Sequence, residues 1–264
     1  MARQPLLAAG SRASERYGAA MGQTIEITTP DGTADAYLTG EPGKPGVLFY
    51  VDAIGLRPRI EEMADRIASW GYVVLAPHVF YRDGGAADLA PKGDLRDAGA
   101  REEFFGGGVM DRVAGLTPEL AKTDAAAWIA ELEKHAGDGP IGVTGYCMGA
   151  RLAVRTAGWF PGTVAAVGGF HGGRLVTDAE DSPHLAIADS TAAYVFGHAD
   201  QDSSMPIEQV EALEQVLQEA GVEHVNEIYE GAAHGYSMAD TSVYDEAGTE
   251  RHFNVLRDLL GRTL

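Results

Sequence analysis

The chain has 264 residues, of which 45% are hydrophobic and 22% charged. That is an ordinary globular composition and argues against a disordered chain. Asp and Glu outnumber Lys and Arg by 39 to 20, a formal net charge of −19, so phosphate backbones and anionic lipid are poor partners: neither nucleic-acid nor membrane binding is expected. The single cysteine, Cys147, excludes an internal disulfide and any zinc site that needs two thiolates.

The N-terminal stretch carries Arg3, Arg12 and Arg16, and its one apolar run, Leu6-Leu7-Ala8-Ala9, is shorter than the roughly 7–15 residues of a signal-peptide core. A cytoplasmic protein is the expectation. Residues 1–20 read as a poorly ordered extension and residues 21–264 as a single domain.

From there the elements follow in order. Thr24-Ile25-Glu26-Ile27-Thr28 alternates and meets Pro30-Asp31-Gly32, which predicts a β-hairpin opening. Residues 46–51 are continuously apolar, as in a strand buried on both faces. Ile60, Met63, Ala64, Ile67 and Ala68 share one helical face. Gly71 stops that helix, and residues 72–76 form the next strand, closed by Pro77. Residues 83–116 are irregular, rich in Gly, Ala and Asp, and contain Gly106-Gly107-Gly108; a stretch of this kind reads as a lid or an excursion with short helices. Thr117-Pro118-Glu119 opens a helix whose buried stripe is Ala121, Ala125, Trp128, Ile129 and Leu132. Strands at 141–145, 164–170, 192–196 and 224–229 then alternate with helices at 150–159, 207–220 and 246–261. The alternation predicts an α/β protein with a mostly parallel twisted sheet and helices on both faces.

Cys147 stands in Gly145-Tyr146-Cys147-Met148-Gly149, between a strand and a helix. This is the G-x-nucleophile-x-G elbow with cysteine in the central place. The turn strains the nucleophile's backbone, and a side chain at either glycine would collide with neighbouring backbone. The helix N-terminus ahead of the sulfur favours thiolate over thiol. The plain alternative is an inert cysteine at a tight turn. A nucleophile needs a base and an orienter, and the elbow predicts the order nucleophile, acid, histidine. Asp200 follows the strand ending Tyr194-Val195-Phe196-Gly197-His198-Ala199, and His234 follows Tyr229-Glu230-Gly231-Ala232-Ala233. Asp202, in the same loop as Asp200, is the rival orienter. His135, His184, His224 and His252 read as surface positions on helix, loop or strand, whereas His171 could face the cleft. The spacing His198-x-Asp200-x-Asp202 reads as turn-forming acids, with no metal and no cofactor expected.

Five stretches in order carry a resemblance to a known family: Val51-Asp52-Ala53-Ile54-Gly55, Ala76-Pro77-His78-Val79-Phe80-Tyr81-Arg82, Gly145-Tyr146-Cys147-Met148-Gly149, Gly197-His198-Ala199-Asp200 and Ala233-His234-Gly235. The sequence resembles the dienelactone hydrolase family (carboxymethylenebutenolidase-like), cysteine members of the α/β-hydrolase fold, over roughly residues 22–264. The resemblance implies a triad of Cys147, Asp200 and His234. Asp52 falls where the family carries a glutamate that contacts the resting thiol, and Arg82 matches a family arginine that binds the substrate carboxylate. A second such arginine follows the histidine by four residues, where this chain has Met238. The implied function is cleavage of a small-molecule ester or lactone through a cysteine thioester, with an oxyanion hole made by the backbone N–H of Met148 and of Ala53. A general carboxylesterase or thioesterase of the same fold, and a non-catalytic redox-sensing or ligand-binding protein using Cys147, are the alternatives. The oligomeric state is not legible.

Overall fold

The Pro30-Asp31-Gly32 turn joins β1 (Gln23–Thr29) to β2 (Gly32–Thr39), which pair antiparallel as the alternation requires. This computed structural model describes residues 22–264, so the expected extension at 1–20 lies outside the described residues. Six further strands are β3 (Gly46–Tyr50), β4 (Val73–Pro77), β5 (Ile141–Tyr146), β6 (Val164–Phe170), β7 (Ala193–Ala199) and β8 (His224–Tyr229). All eight belong to one sheet in the order β1-β2-β4-β3-β5-β6-β7-β8. β2 runs antiparallel to β4, and from β4 to β8 every pairing is parallel.

Every residue of β3, β4, β5 and β7 is buried. Their continuous apolar runs have this cause, since helices cover both faces of a parallel sheet. α1 (Pro58–Ala68) and α8 (Glu246–Thr263) are tied together by the Arg66–Glu250 ion pair and by Trp70 edge-on to Phe253. α5 (Pro118–Glu133) and α6 (Met148–Trp159) form a second helical group, with Trp128 of α5 among the most deeply buried side chains. Each fully buried Val or Leu of these layers is worth about 1.5–3 kcal/mol relative to exposure. α7 (Ile207–Ala220) precedes β8 and ends at Gly221, whose φ of 66° is the left-handed C-cap.

The 83–116 region resolves into three short helices, α2 (Ala86–Leu89), α3 (Ala98–Gly106) and α4 (Val109–Gly115). Asp97 caps α3 by accepting from Ala100 N–H, and Gly108 at φ 89° turns the chain into α4. A 3-10 helix at Pro183–Asp189 was not legible in the sequence, because it lacks apolar periodicity. No helix among the described residues is long and apolar enough to cross a membrane.

Candidate active site

In the parallel part of the sheet all strands point the same way, so the loops after their C-terminal ends share one rim. That rim holds Asp52 and Ala53 after β3, Cys147 after β5, His171 after β6, Asp202 after β7 and His234 after β8. β3 lies between β4 and β5, so the chain order reverses there and a crevice opens at the carboxyl ends of the strands. A cavity of about 230 Å³ occupies it, lined among others by Cys147, Met148, Ala53, His171 and His234.

Cys147 holds φ 55° and ψ −117°, a conformation that L residues rarely adopt and that costs on the order of 1–3 kcal/mol. The flanking glycines explain how the chain tolerates it. A Cβ on Gly145 would stand 2.1 Å from the Gly149 carbonyl oxygen, and one on Gly149 would stand 2.4 Å from the Val51 carbonyl oxygen. Both neighbours are backbone and cannot move aside. α6 begins at Met148, directly after the cysteine, so the sulfur sits at the helix N-terminus and is half-buried.

His234 Nε2 lies 3.1 Å from Cys147 Sγ, and its Nδ1 lies 2.5 Å from Asp202 Oδ2. Asp202 is fixed in turn: its Oδ1 accepts from the Ser204 N–H at 2.8 Å and from the Ser204 hydroxyl at 2.7 Å. Burial works against a charge on His234, but the hydrogen bonds to Asp202 and Cys147 and their charges carry its pKa up to about 10. Burial likewise disfavours the Asp202 carboxylate, yet His234 and Ser204 hold it below its ordinary value.

The structure corrects the expectation for Asp200. Its carboxylate accepts from the Gly231 N–H at 2.9 Å and bridges two loops instead of meeting the histidine. The rival, Asp202, holds that place. Gln201 between them adopts φ 52°, a left-handed turn that sends the two side chains in different directions. His198 bonds Asn226, so His198, Asp200 and Asp202 face three different partners. No group of three or more metal-ligating side chains occurs among the described residues.

Three further expectations fail. Arg82 was expected to bind substrate, but its guanidinium is engaged by Asp124, at 2.8 Å from both Nη1 and Nη2, and by Asp31 at 2.7 Å. It staples the β1–β2 turn to α5 and is absent from the cavity lining. Asp52 does line the cavity, but both its oxygens are taken by Arg57, at 2.7 and 3.0 Å, and it also caps the Ile54 N–H. It acts as an anchor for the loop after β3 and makes no bond to Cys147. His252, expected at the surface, is fully buried against Tyr146, Phe170 and Phe253.

Sequence reasoning missed Arg57 and Ser204, which orient Asp52 and Asp202. Neither had a signal, because each acts through a fold-dependent contact. His171 does face the cleft. It adopts φ 38°, its Nε2 pairs with Ser237 Oγ at 2.8 Å, and its ring lies 5.6 Å from that of His234. Burial, with the charge of His234, holds His171 well below its ordinary value, so it stays neutral.

With that geometry in place, the kinship can be stated. The sequence profile of the dienelactone hydrolase family matches residues 34–264. The chain belongs to the dienelactone hydrolase family. A carboxymethylenebutenolidase of Rhodococcus opacus is 28% identical over 193 residues, covering 72% of this chain and 69% of its own. A solved structure from Klebsiella pneumoniae superposes with a TM-score of 0.77 at 19% identity, covering 91% of this chain and 98% of its own. The dienelactone hydrolase-like promiscuous phosphotriesterase P91, from metagenomic libraries, superposes at 0.70 with 19% identity, covering 93% and 99%. At these identities the superpositions establish the fold, which is the α/β-hydrolase fold, and the family places the chain among hydrolases.

Proposed function

We propose that the protein hydrolyses an ester or lactone of a small molecule through a thioester on Cys147, with His234 as the proton carrier and Asp202 as its orienter. The observation that carries this is the continuous line Sγ, Nε2, Nδ1, Oδ2, with contacts of 3.1 and 2.5 Å, starting from a strained elbow. With His234 charged, its Nε2–H donates to the sulfur. Sulfur attacks the carbonyl carbon, forming the C–S bond, and the oxygen gains negative charge. Met148 and Ala53 line the same cavity, and their backbone N–H groups are assigned to that oxyanion. The C–O bond then breaks, and the leaving alkoxide takes the Nε2 proton. Water next attacks the thioester and gives a proton to Nε2, the C–S bond breaks, and the acid departs with the starting ion pair restored. Asp202 fixes the tautomer throughout by holding Nδ1–H.

Activated esters, enol lactones and thioesters tested on the wild type and on Cys147→Ala decide the matter. Turnover by the wild type and its loss in the variant is the expected result. Equal release of acid by both proteins would overturn the assignment, and peroxide reactivity of Cys147 without turnover of any ester would favour a redox role.

A further inference from the structure

Next to the cavity at Cys147 lies a second chamber of about 210 Å³, against about 230 Å³ for the first. Val113, Met148 and Arg151 line both, so these three side chains form a common wall. The chamber sits between the end of α4, the start of α5 and α6. Met148, Arg151, Leu152 and Arg155 face it from α6, the i, i+3, i+4, i+7 spacing of one helical face. Val113, Ala114, Leu116, Pro118, Ala121 and Leu152 give it apolar walls. Arg155 and Asp181, 3.7 Å apart, close the end remote from the elbow, and Asp181 is largely exposed there. At 1.5 Å per helical residue, Arg155 stands about 10 Å along α6 from Met148. None of the residues lining the chamber comes from the loops after β7 or β8, so it lies on the side of the elbow away from His234. Arg151 is half-buried, and among the described residues no carboxylate lies within ion-pair distance of its guanidinium. Its long side chain is therefore the part of the common wall that is free to swing.

We propose that this chamber receives the acyl part of the substrate, and that the ester cleaved at Cys147 is one of a medium-length, unbranched fatty acid. The inference rests on the nucleophile role proposed above. In that reaction the alcohol takes its proton from His234 Nε2 and leaves on the His234 side, while the carbonyl oxygen turns to the N–H groups of Met148 and Ala53. The remaining substituent of the carbonyl carbon, the acyl chain, is directed to the side where Val113, Met148 and Arg151 stand. An extended octanoyl chain is of roughly the length between Met148 and Arg155.

p-Nitrophenyl acetate, butanoate, hexanoate and octanoate test it on the full chain, since the leaving group is the same in all four. Each methylene buried in the chamber should raise kcat/KM about twofold to fourfold. The octanoate-to-acetate ratio of the wild type should therefore exceed that of alkaline hydrolysis by at least about tenfold. Leu116→Trp and Ala121→Leu each fill the chamber and should lower that ratio by at least about fivefold. A partly folded preparation slows both esters alike and leaves the ratio unchanged. A second readout needs no turnover: heptyl trifluoromethyl ketone is set against its methyl analogue as protection of Cys147 from iodoacetamide. Sγ adds to the ketone carbon, forming the C–S bond, and the carbonyl oxygen takes the charge. The heptyl ketone should protect at the lower concentration, and the two chamber variants should narrow the gap. If that preference appears but no ester turns over, the hydrolase reading fails while the chamber survives. If the esters turn over with one rate whatever their chain length, only the present inference fails. A gain from lengthening the alcohol instead, lost in Leu116→Trp, would overturn the assignment of the chamber to the acyl side.

Discussion

Between Asp200 and Asp202 stands Gln201 at φ 52°, and the turn it makes gives one carboxylate to Gly231 and the other to His234. A one-residue excursion into the left-handed region is invisible to pattern reading, so of the two candidates in one loop the sequence favoured Asp200, and the structure gives the place to Asp202. Cys147 and His234 were legible, because the first sits between two glycines at a strand–helix junction and the second follows the last strand. Arg82 was not, since its partners Asp31 and Asp124 lie 51 and 42 residues away along the chain. The swap has a direct test. Asp202→Asn should lower kcat/KM by roughly 10²–10⁴-fold, because the amide no longer stabilises the imidazolium or fixes its tautomer. Asp200→Asn leaves the line from sulfur to carboxylate intact and should stay near the wild type. The reverse outcome, with Asp200 the sensitive position, would reject the arrangement seen here.

At the scale of elements, the strands were the most legible part. β3, β4 and β5 are short apolar runs closed by turn residues, and helices at 3.6-residue spacing separate them. The boundaries slipped where a functional loop begins: α6 starts at Met148 rather than 150, because the elbow passes straight into the helix, and β7 runs on to Ala199. The 83–116 stretch was legible as an excursion with short helices, but the number and bounds of those helices were not, since α2, α3 and α4 are too short to show a stripe. Two glycines of similar sequence appearance then predict opposite effects. Gly149→Ala places a methyl 2.4 Å from the Val51 carbonyl and 2.6 Å from the Tyr50 carbonyl, both backbone. It should cost at least about 2 kcal/mol and drive the elbow apart. Gly261 lies exposed near the end of α8, where an added Cβ meets nothing within 4 Å. Gly261→Ala should gain about 0.5 kcal/mol by restricting the unfolded chain. Thermal unfolding compares them: Tm falls for the first and rises by a degree or two for the second. A Gly149→Ala variant as stable as the wild type would contradict the close approach of the elbow to β3.

For the whole molecule, five loops carry the site and one sheet holds them, so the protonation of the site enters the stability of the fold. His234 has its pKa raised from 6.5 to about 10 by Asp202 and Cys147, against the penalty of burial. Because the folded state holds this proton more tightly than the unfolded state, the contribution is fully present below pH 6.5. It shrinks as pH rises and is lost as pH passes through about 10. Asp202 has its pKa lowered from 3.8, so its share is present above that value and is lost as pH falls through the depressed folded pKa. His171, which touches the same pair, is kept neutral by burial and adds no charge across this range. Subtracting the unfolding free energy of His234→Gln from that of the wild type isolates the pair, since the other buried histidines, His78, His198 and His252, are common to both proteins. The difference should form a plateau between about pH 4 and 6.5 and decline on both sides, the alkaline limb reaching its end near pH 10. Denaturant titrations at intervals of pH measure it. A difference that stayed flat from pH 6.5 to 10 would mean that the folded protein does not hold the His234 proton, and the ion pair at the centre of the proposed chemistry would have to be abandoned.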